Sequence, residues 1–445
     1  MTRLGRIYPW TAGRRAPSLL IVSRTRIRSV VTALFTLLAL WPAGSALAAA
    51  GATAGQETAA LAQGVVKIPA NTSDDGSFGI AVDLSADGST AIVGAQQHNF
   101  DRGGAYIFQR VNGSWQETAD LTLPGLGYQA SYGNAVAISA DGSLAMVSEV
   151  GWQQLTGMVF IFAKTAAGWK PIGQLVAPDR GTYNHFGDSI SMDAAGNRVV
   201  IGALGAGGFA GRAYVFSRAS GGKWSLTAEL QPPASQGQTD FGTSVSMDSD
   251  GSVVLIGGNV YGYGTGAAYV FDDTAGRWQQ RAMLMASQPQ AGADFGTSVA
   301  IDGAGTAAVV GAVYEDNYAG AAYVFQAGGS GWAQTARLAE PGTGQFGNAV
   351  AISPAGSTVV VGAEATQVTG RAYAYTGNAA GWVPSMTLEP NVTSQALFGV
   401  AVAMDATGGE AIVGAAWDDN SNPGASGFGA VYLEPIQATC VSQSC

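Results

Sequence analysis

The chain has 445 residues and a formal net charge of −10; 64 residues are Gly, and Asp, Glu, Lys and Arg together supply only 12%. A hydrophobic content of 47% excludes a disordered polar chain, and Gly without a three-residue period excludes collagen. Only two His are present, which excludes most His-based triads and multi-His metal sites. Abundant Gly with ordinary hydrophobicity and little charge fits many short strands joined by tight turns.

Residues 1–48 carry seven Arg and no acid. An apolar run, Val30 to Trp41, follows the basic region, and Pro42 and Ala46-Leu47-Ala48 come next. Basic region, short apolar core and A-x-A site in that order describe a secretory signal peptide, with cleavage expected after Ala48. The core, about 12 residues, is shorter than a bilayer span requires. The basic region is long, so the leader is extended or translation starts near Val22. Loss of seven Arg takes the net charge from −10 to −17, which disfavours nucleic acid and anionic membranes as partners. No later run reaches 18 apolar residues, so no membrane span is expected after cleavage. The expected location is the periplasm, the cell surface or the medium.

Gln56-Glu57-Thr58-Ala59-Ala60-Leu61 comes next and matches Gln116-Glu117-Thr118-Ala119-Asp120-Leu121 at five of six positions. It stands alone ahead of a long internal repetition. An aromatic-Gly pair recurs at Phe78-Gly79, Tyr132-Gly133, Phe186-Gly187, Phe241-Gly242, Phe295-Gly296, Phe346-Gly347 and Phe398-Gly399, at spacings of 54, 54, 55, 54, 51 and 52. Each pair opens an alternating apolar run. A Gly-centred turn follows, such as Asp87-Gly88 or Ala304-Gly305. A second run ends in Gly-Ala at Gly94-Ala95, Gly202-Ala203, Gly311-Ala312, Gly362-Ala363 and Gly414-Ala415. A variable loop leads to a third run, GAAYVF at 266–271 and 320–325, and another turn leads to a Trp and a fourth run.

The period within the runs is two, and Gly, Asp, Asn or Ser bound them. Each unit is therefore expected to be a four-stranded antiparallel meander of about 50 residues, the size of a propeller blade. Seven units predict an all-β, seven-bladed β-propeller over residues 49–435. The seventh unit ends after its third run, Gly429-Ala430-Val431-Tyr432, so the strand at Gln56–Leu61 is expected to complete it and close the ring, removing exposed edges. The tail, 436–445, holds the only two Cys. Cys440 and Cys445 are expected to pair as a small disulfide clip after export; an intermolecular bond is the alternative.

The Phe-Gly pairs, the Gly-Ala endings and the GAAYVF runs resemble the FG-GAP repeats of integrin α-subunit propellers and their bacterial exported relatives. The resemblance covers residues 56–434. It implies the same fold and, in many members, calcium in the hairpin between the first two strands. Those loops are degenerate here: Asp83 to Ala91 lacks the final carboxylate, Ser246 to Val254 lacks both ends, and Ser353-Pro354-Ala355-Gly356 lacks every acid. With six to eight oxygen ligands out of reach, no cofactor is expected.

Trp115, Trp169, Trp224, Trp278, Trp332 and Trp382 open the fourth runs and are expected to pack between blades, as are the aromatic anchors and Tyr106, Phe160, Tyr214, Tyr269, Tyr323 and Tyr373. Gly187-Asp188-Ser189-Ile190 looks like a hydrolase motif, but Ser189 shares its repeat position with Ser244 and Ser298, so a strand residue is expected. His98 and His185 are expected to be solvated loop residues. No catalytic residue is assigned.

The second-to-third-strand loops depart most from the repeat. Candidate ligand-binding residues there are Trp152, Tyr261, Tyr263, Tyr314, Asp316, Trp417, Asp418 and Asp419. The connections between units share their face and add Tyr128, Tyr183 and His185. Aromatics with amides and carboxylates on loops over a rigid scaffold suit a protein or cell-surface partner. A carbohydrate ligand is the alternative, or a hydrolase using Glu315, Asp316 or Asp418. The propeller is expected to be a monomer.

Overall fold

A computed structural model describes residues 65–66, 76–364, 369–378, 381–390, 396–417 and 429–436. They form seven antiparallel sheets of four strands each. The fifth blade shows the pattern: Phe295–Ile301, Ala307–Ala312, Ala321–Gly328 and Gly331–Leu338 pair in order, with Val299 opposite Val310, Val310 opposite Tyr323 and Tyr323 opposite Arg337. The innermost strands of the others are Phe78–Leu84, Tyr132–Ile138, Phe186–Met192, Ser244–Met247, Phe346–Ile352 and Phe398–Met404. No helix among the described residues is long and apolar enough to cross a membrane.

The core lies in layers between blades. Between the fourth and fifth, Leu255, Val270 and Leu284 meet Phe295, Val310, Tyr323 and Phe325, with Trp332 half-buried beside them. Each anchor ring also packs on the third-strand aromatic of its own blade, from 5.1 Å for Phe398–Tyr432 to 5.8 Å for Phe78–Tyr106. The ring closes from seventh blade to first: Phe78 pairs with Gly429 and shares a layer with Ile412, Val431 and Leu433.

The fourth strand of the seventh sheet is Val65–Val66, with Val65 opposite Tyr432 and Val66 opposite Val431. Val65 thus takes the place that Asp120 takes opposite Tyr106 in the first blade. The expected closing strand Gln56–Leu61, the leader and the Cys440–Cys445 tail lie outside the described residues.

The first-to-second-strand turns are bonded into a belt. The Ala86 N–H donates to Ala140, Ala140 to Ala194, Ala194 to Ser249, Ser249 to Gly303, Gly303 to Pro354, and Ala406 back to Ala86, at 2.9–3.2 Å. Pro354 has no N–H, so the link from the sixth blade to the seventh cannot form. The first residue of each turn caps it: Asp193, Asp248, Asp302 and Asp405 accept from the backbone N–H groups of Arg198, Val253, Ala307 and Glu410, and Ser85, Ser139 and Ser353 do the same in their blades. The Asp of the Asp-Gly turns likewise binds its own turn, as Asp87 does with Ser85 and Ser89.

Candidate functional site

The opposite face carries the second-to-third-strand loops and the connections between blades. Backbone hydrogen bonds place them side by side. The connection into the fifth blade is held on both flanks: Asp294 donates to Gly264 of the fourth-blade loop, and Tyr314 of the fifth-blade loop donates to Ala293, at 2.8 and 3.1 Å. Equivalent bonds run from Tyr183 to Gln154, Thr239 to Phe209, Gln345 to Tyr318 and Trp417 to Ala396.

The sequence pattern suggests that these loops vary freely, but in blades one to five only their residues vary. Each is a single turn containing left-handed residues: Asn99, Phe100 and Asp101; Gln154 and Leu155; Gly207, Gly208 and Phe209; Gly262, Tyr263 and Gly264; Asp316, Asn317 and Tyr318, all with φ between 51° and 70° except Gly264 at 77°. In four of these loops an N–H reaches the carbonyl four residues back, as Tyr318 does to Tyr314 at 3.3 Å. The backbone is fixed because the loop must leave through a Gly pressed on the next blade (Gly103, Gly157, Gly211, Gly266, Gly320) and must grip the connection on each side.

The candidate residues take different roles within this frame. Tyr263 projects into solvent, 97% exposed, while Tyr261 is half-buried against the layer between the third and fourth blades. Tyr314 packs on Tyr318 at 5.1 Å. Trp417 packs beside Leu397, Val400 and Ala416. Trp152 lies in the second-blade loop; its side chain, and Asp418 and Asp419, fall outside the described residues. Asp316 belongs to a closed network. Arg337 donates to Asp316 at 2.6 Å and to Glu315 at 2.8 and 2.9 Å, Gln290 donates to Asp316 at 2.9 Å, and the Tyr323 hydroxyl lies 2.7 Å from both Glu315 oxygens. Among the described candidates, Tyr261 and Tyr263 share the fourth-blade loop and Tyr314 and Asp316 the fifth-blade loop, while Trp152 and Trp417 ride on the second and seventh blades.

Ser189 behaves as a repeat residue, its hydroxyl donating to the Gly242 carbonyl of the next blade at 2.9 Å, as Ser244 and Ser298 do to Gly296 and Gly347. The two His are not solvated as expected. His98 packs edge-on against Tyr106 at 6.2 Å, and His185 is half-buried, with burial pulling its pKa below the usual value against the opposing pull of Asp188.

His185 belongs to a set that sequence reasoning missed. The residue before each aromatic anchor heads the innermost strand with φ between 48° and 58°: Ser77, Ser131, His185, Asp240, Asp294, Gln345 and Leu397. Their shared signal is position, one before the anchor, because the residue types have nothing in common. Burial, with the charges of Asp294 and Asp188, pushes Asp240 up to about 7, and burial pushes Asp294 up to about 6. A raised carboxylate pKa favours the folded state fully below the ordinary range near 4, and that advantage is lost as pH climbs through 6 to 7. Thermal unfolding at pH 5 and pH 8 is therefore expected to show the higher Tm at pH 5, and Asp240→Asn is expected to shrink the difference. An equal difference in the variant would remove Asp240 from the cause.

One family model matches the chain. The FG-GAP repeat matches residues 169–216 and 278–325, each match running from a fourth-strand Trp across a blade boundary to the third strand of the next blade. No curated protein matches the chain.

Proposed function

We propose that this FG-GAP repeat propeller is an exported, non-catalytic binding module that holds a protein or other cell-surface partner on its loop face. One observation carries the reading. Every large aromatic exposed among the described residues lies on that face: Phe100, Tyr128, Tyr183, Tyr263 and Tyr318, from 56% to 97% exposed. The other exposed large hydrophobics, Val111, Ile172, Leu226 and Val383, are aliphatic and sit on third and fourth strands.

Four of the five aromatics hold φ between 61° and 70°. The left-handed region costs an L-residue about 1–2 kcal/mol, and bulky side chains rarely occupy it. A ring held largely in solvent on a strained backbone, as Tyr263 is at 97% exposure, is retained for what it meets outside the chain. Tyr and Phe supply large contact area at low entropic cost. Of the three carboxylates offered for hydrolysis, Glu315 and Asp316 are bound to Arg337, which supports binding over catalysis, and Asp418 lies outside the described residues.

Capture from envelope extract tests the proposal. The mature domain is expected to retain a partner that a Phe100→Ser, Tyr263→Ser, Tyr318→Ser triple variant loses while melting normally. Equal capture by the folded variant would contradict the assignment. A glycan array run in parallel separates the carbohydrate alternative: signal there that the triple variant abolishes would make the partner a sugar.

Because Tyr263 is 97% exposed, its replacement costs no packing. Tyr263→Gly relieves the left-handed strain and is expected to leave Tm unchanged or raise it slightly, in a thermal melt. A fall of several degrees would show that the ring supports the fold.

A further inference from the structure

The second blade breaks the repeat where the other six keep it. Its second strand ends in Ser148-Glu149, and the position of Glu149 is filled elsewhere by Ala95, Ala203, Gly258, Ala312, Ala363 and Ala415. The third-strand aromatic is Phe160, where the other blades have Tyr. In the third and fourth blades that Tyr hydroxyl ties to the incoming connection, Tyr214 to Asp179 at 3.1 Å and Tyr269 to Gln236 at 2.7 Å. The second blade has lost the donor and gained an acceptor.

The result is a pocket of about 550 Å³ between the strands of the second blade and the connection entering it, lined by Leu123, Leu126, Tyr128, Glu149 and Phe160 with the backbone of Gly151. Such a volume suits a small organic ligand. Tyr128 stands at its exposed edge, so it is reachable from solvent. Glu149 is 7% exposed, and its carboxylate has no hydrogen-bond or ion-pair partner among the described residues. The neighbouring Tyr132 hydroxyl donates elsewhere, to the Leu121 carbonyl at 2.9 Å. A buried carboxylate accepts only, and without a donor it is costly to ionise. Burial indeed holds Glu149 up to about 7.

We propose that this pocket binds a small primary amine, its ammonium donating to Glu149 and its apolar stem lying among Leu123, Leu126 and Phe160. A metal ion fits poorly, because a hard cation needs several oxygen ligands and the lining offers one carboxylate. The site shares Tyr128 with the aromatic face, but its proposal does not rest on that face's partner: it stands or falls whether or not Tyr263 meets a protein.

Calorimetric titration of the mature domain with phenethylamine and hexylamine, against phenylethanol and hexanol, tests the proposal. The amines are expected to bind the wild type at pH 8 and Glu149→Gln about tenfold or more weakly, a charge-assisted hydrogen bond being lost. The alcohols are expected to discriminate between the two proteins much less. Ammonium binding ionises Glu149, so affinity is expected to fall from pH 8 to pH 5.5, with a proton released on binding near neutrality. Other titratable groups near the site are Tyr132, raised well above its usual range by burial, and Asp120, Tyr128 being at the edge. Glu149→Ala installs the residue found at this position in five of the other six blades and is expected to fold and to lose amine binding. Absence of amine binding to folded wild type at millimolar concentration, or equal affinity in Glu149→Gln, would overturn the proposal.

Discussion

Gly266→Ala is expected to destabilise the propeller far more than Gly276→Ala, although both glycines have φ +81°. Conformation alone costs each variant about 1–2 kcal/mol. At Gly276 an added Cβ meets nothing within 4 Å. At Gly266 it falls 1.9 Å from the Phe295 carbonyl oxygen and 2.6 Å from its nitrogen. Both are backbone atoms of the next blade, at the bridge that seats the aromatic anchor, so no side chain can yield. Separating the blades there adds roughly 1–3 kcal/mol of overpacking strain and opens a layer holding Phe295 and Tyr323. Urea unfolding of the two variants measures the contrast. Equal losses would mean that the bridge between blades contributes nothing beyond the turn.

Arg337→Met is expected to cost about 3–5 kcal/mol, and Glu315→Ala clearly less. The asymmetry follows from burial. Glu315 is 2% exposed, and without Arg337 its carboxylate keeps only the Tyr323 hydroxyl. Arg337 is about a third exposed and retains Asp316 when Glu315 is removed. Ala206 shows that the third blade packs well with a small side chain at the same loop position. The double variant is expected to recover most of the loss of Arg337→Met, which a denaturation cycle over the four proteins reads directly. A larger loss for Glu315→Ala would show that the network stabilises the fold as a unit.

The blade architecture was legible because its causes are local and repeated. Alternation, the turn glycines and the Asp or Ser caps each act within a few residues, and seven copies in register leave little room for another fold. Ser189 was legible for the same reason: position among equivalents said more than the four-residue motif around it. The left-handed loops were not legible. Phe100, Tyr263 and Tyr318 are residues that disfavour positive φ, and what holds them there is the grip of neighbouring connections, a tertiary effect. The half-buried acids at Asp240 and Asp294 escaped notice because the ring they belong to mixes Ser, His, Asp, Gln and Leu. Glu149 was written in the sequence as an acid in an Ala slot, but its meaning depends on the pocket that the next connection builds over it.

Site-specific photo-cross-linking in envelope extract tests the binding claim most directly. A benzoylphenylalanine at position 263 or 318 replaces an exposed loop-face ring, whereas one at Ser252 or Ser357 sits on the opposite, first-turn face. The account predicts a discrete cross-linked partner from the loop-face positions and none from the turn-face positions. Equal yield from both faces, or cross-linking from the turn face alone, would contradict it.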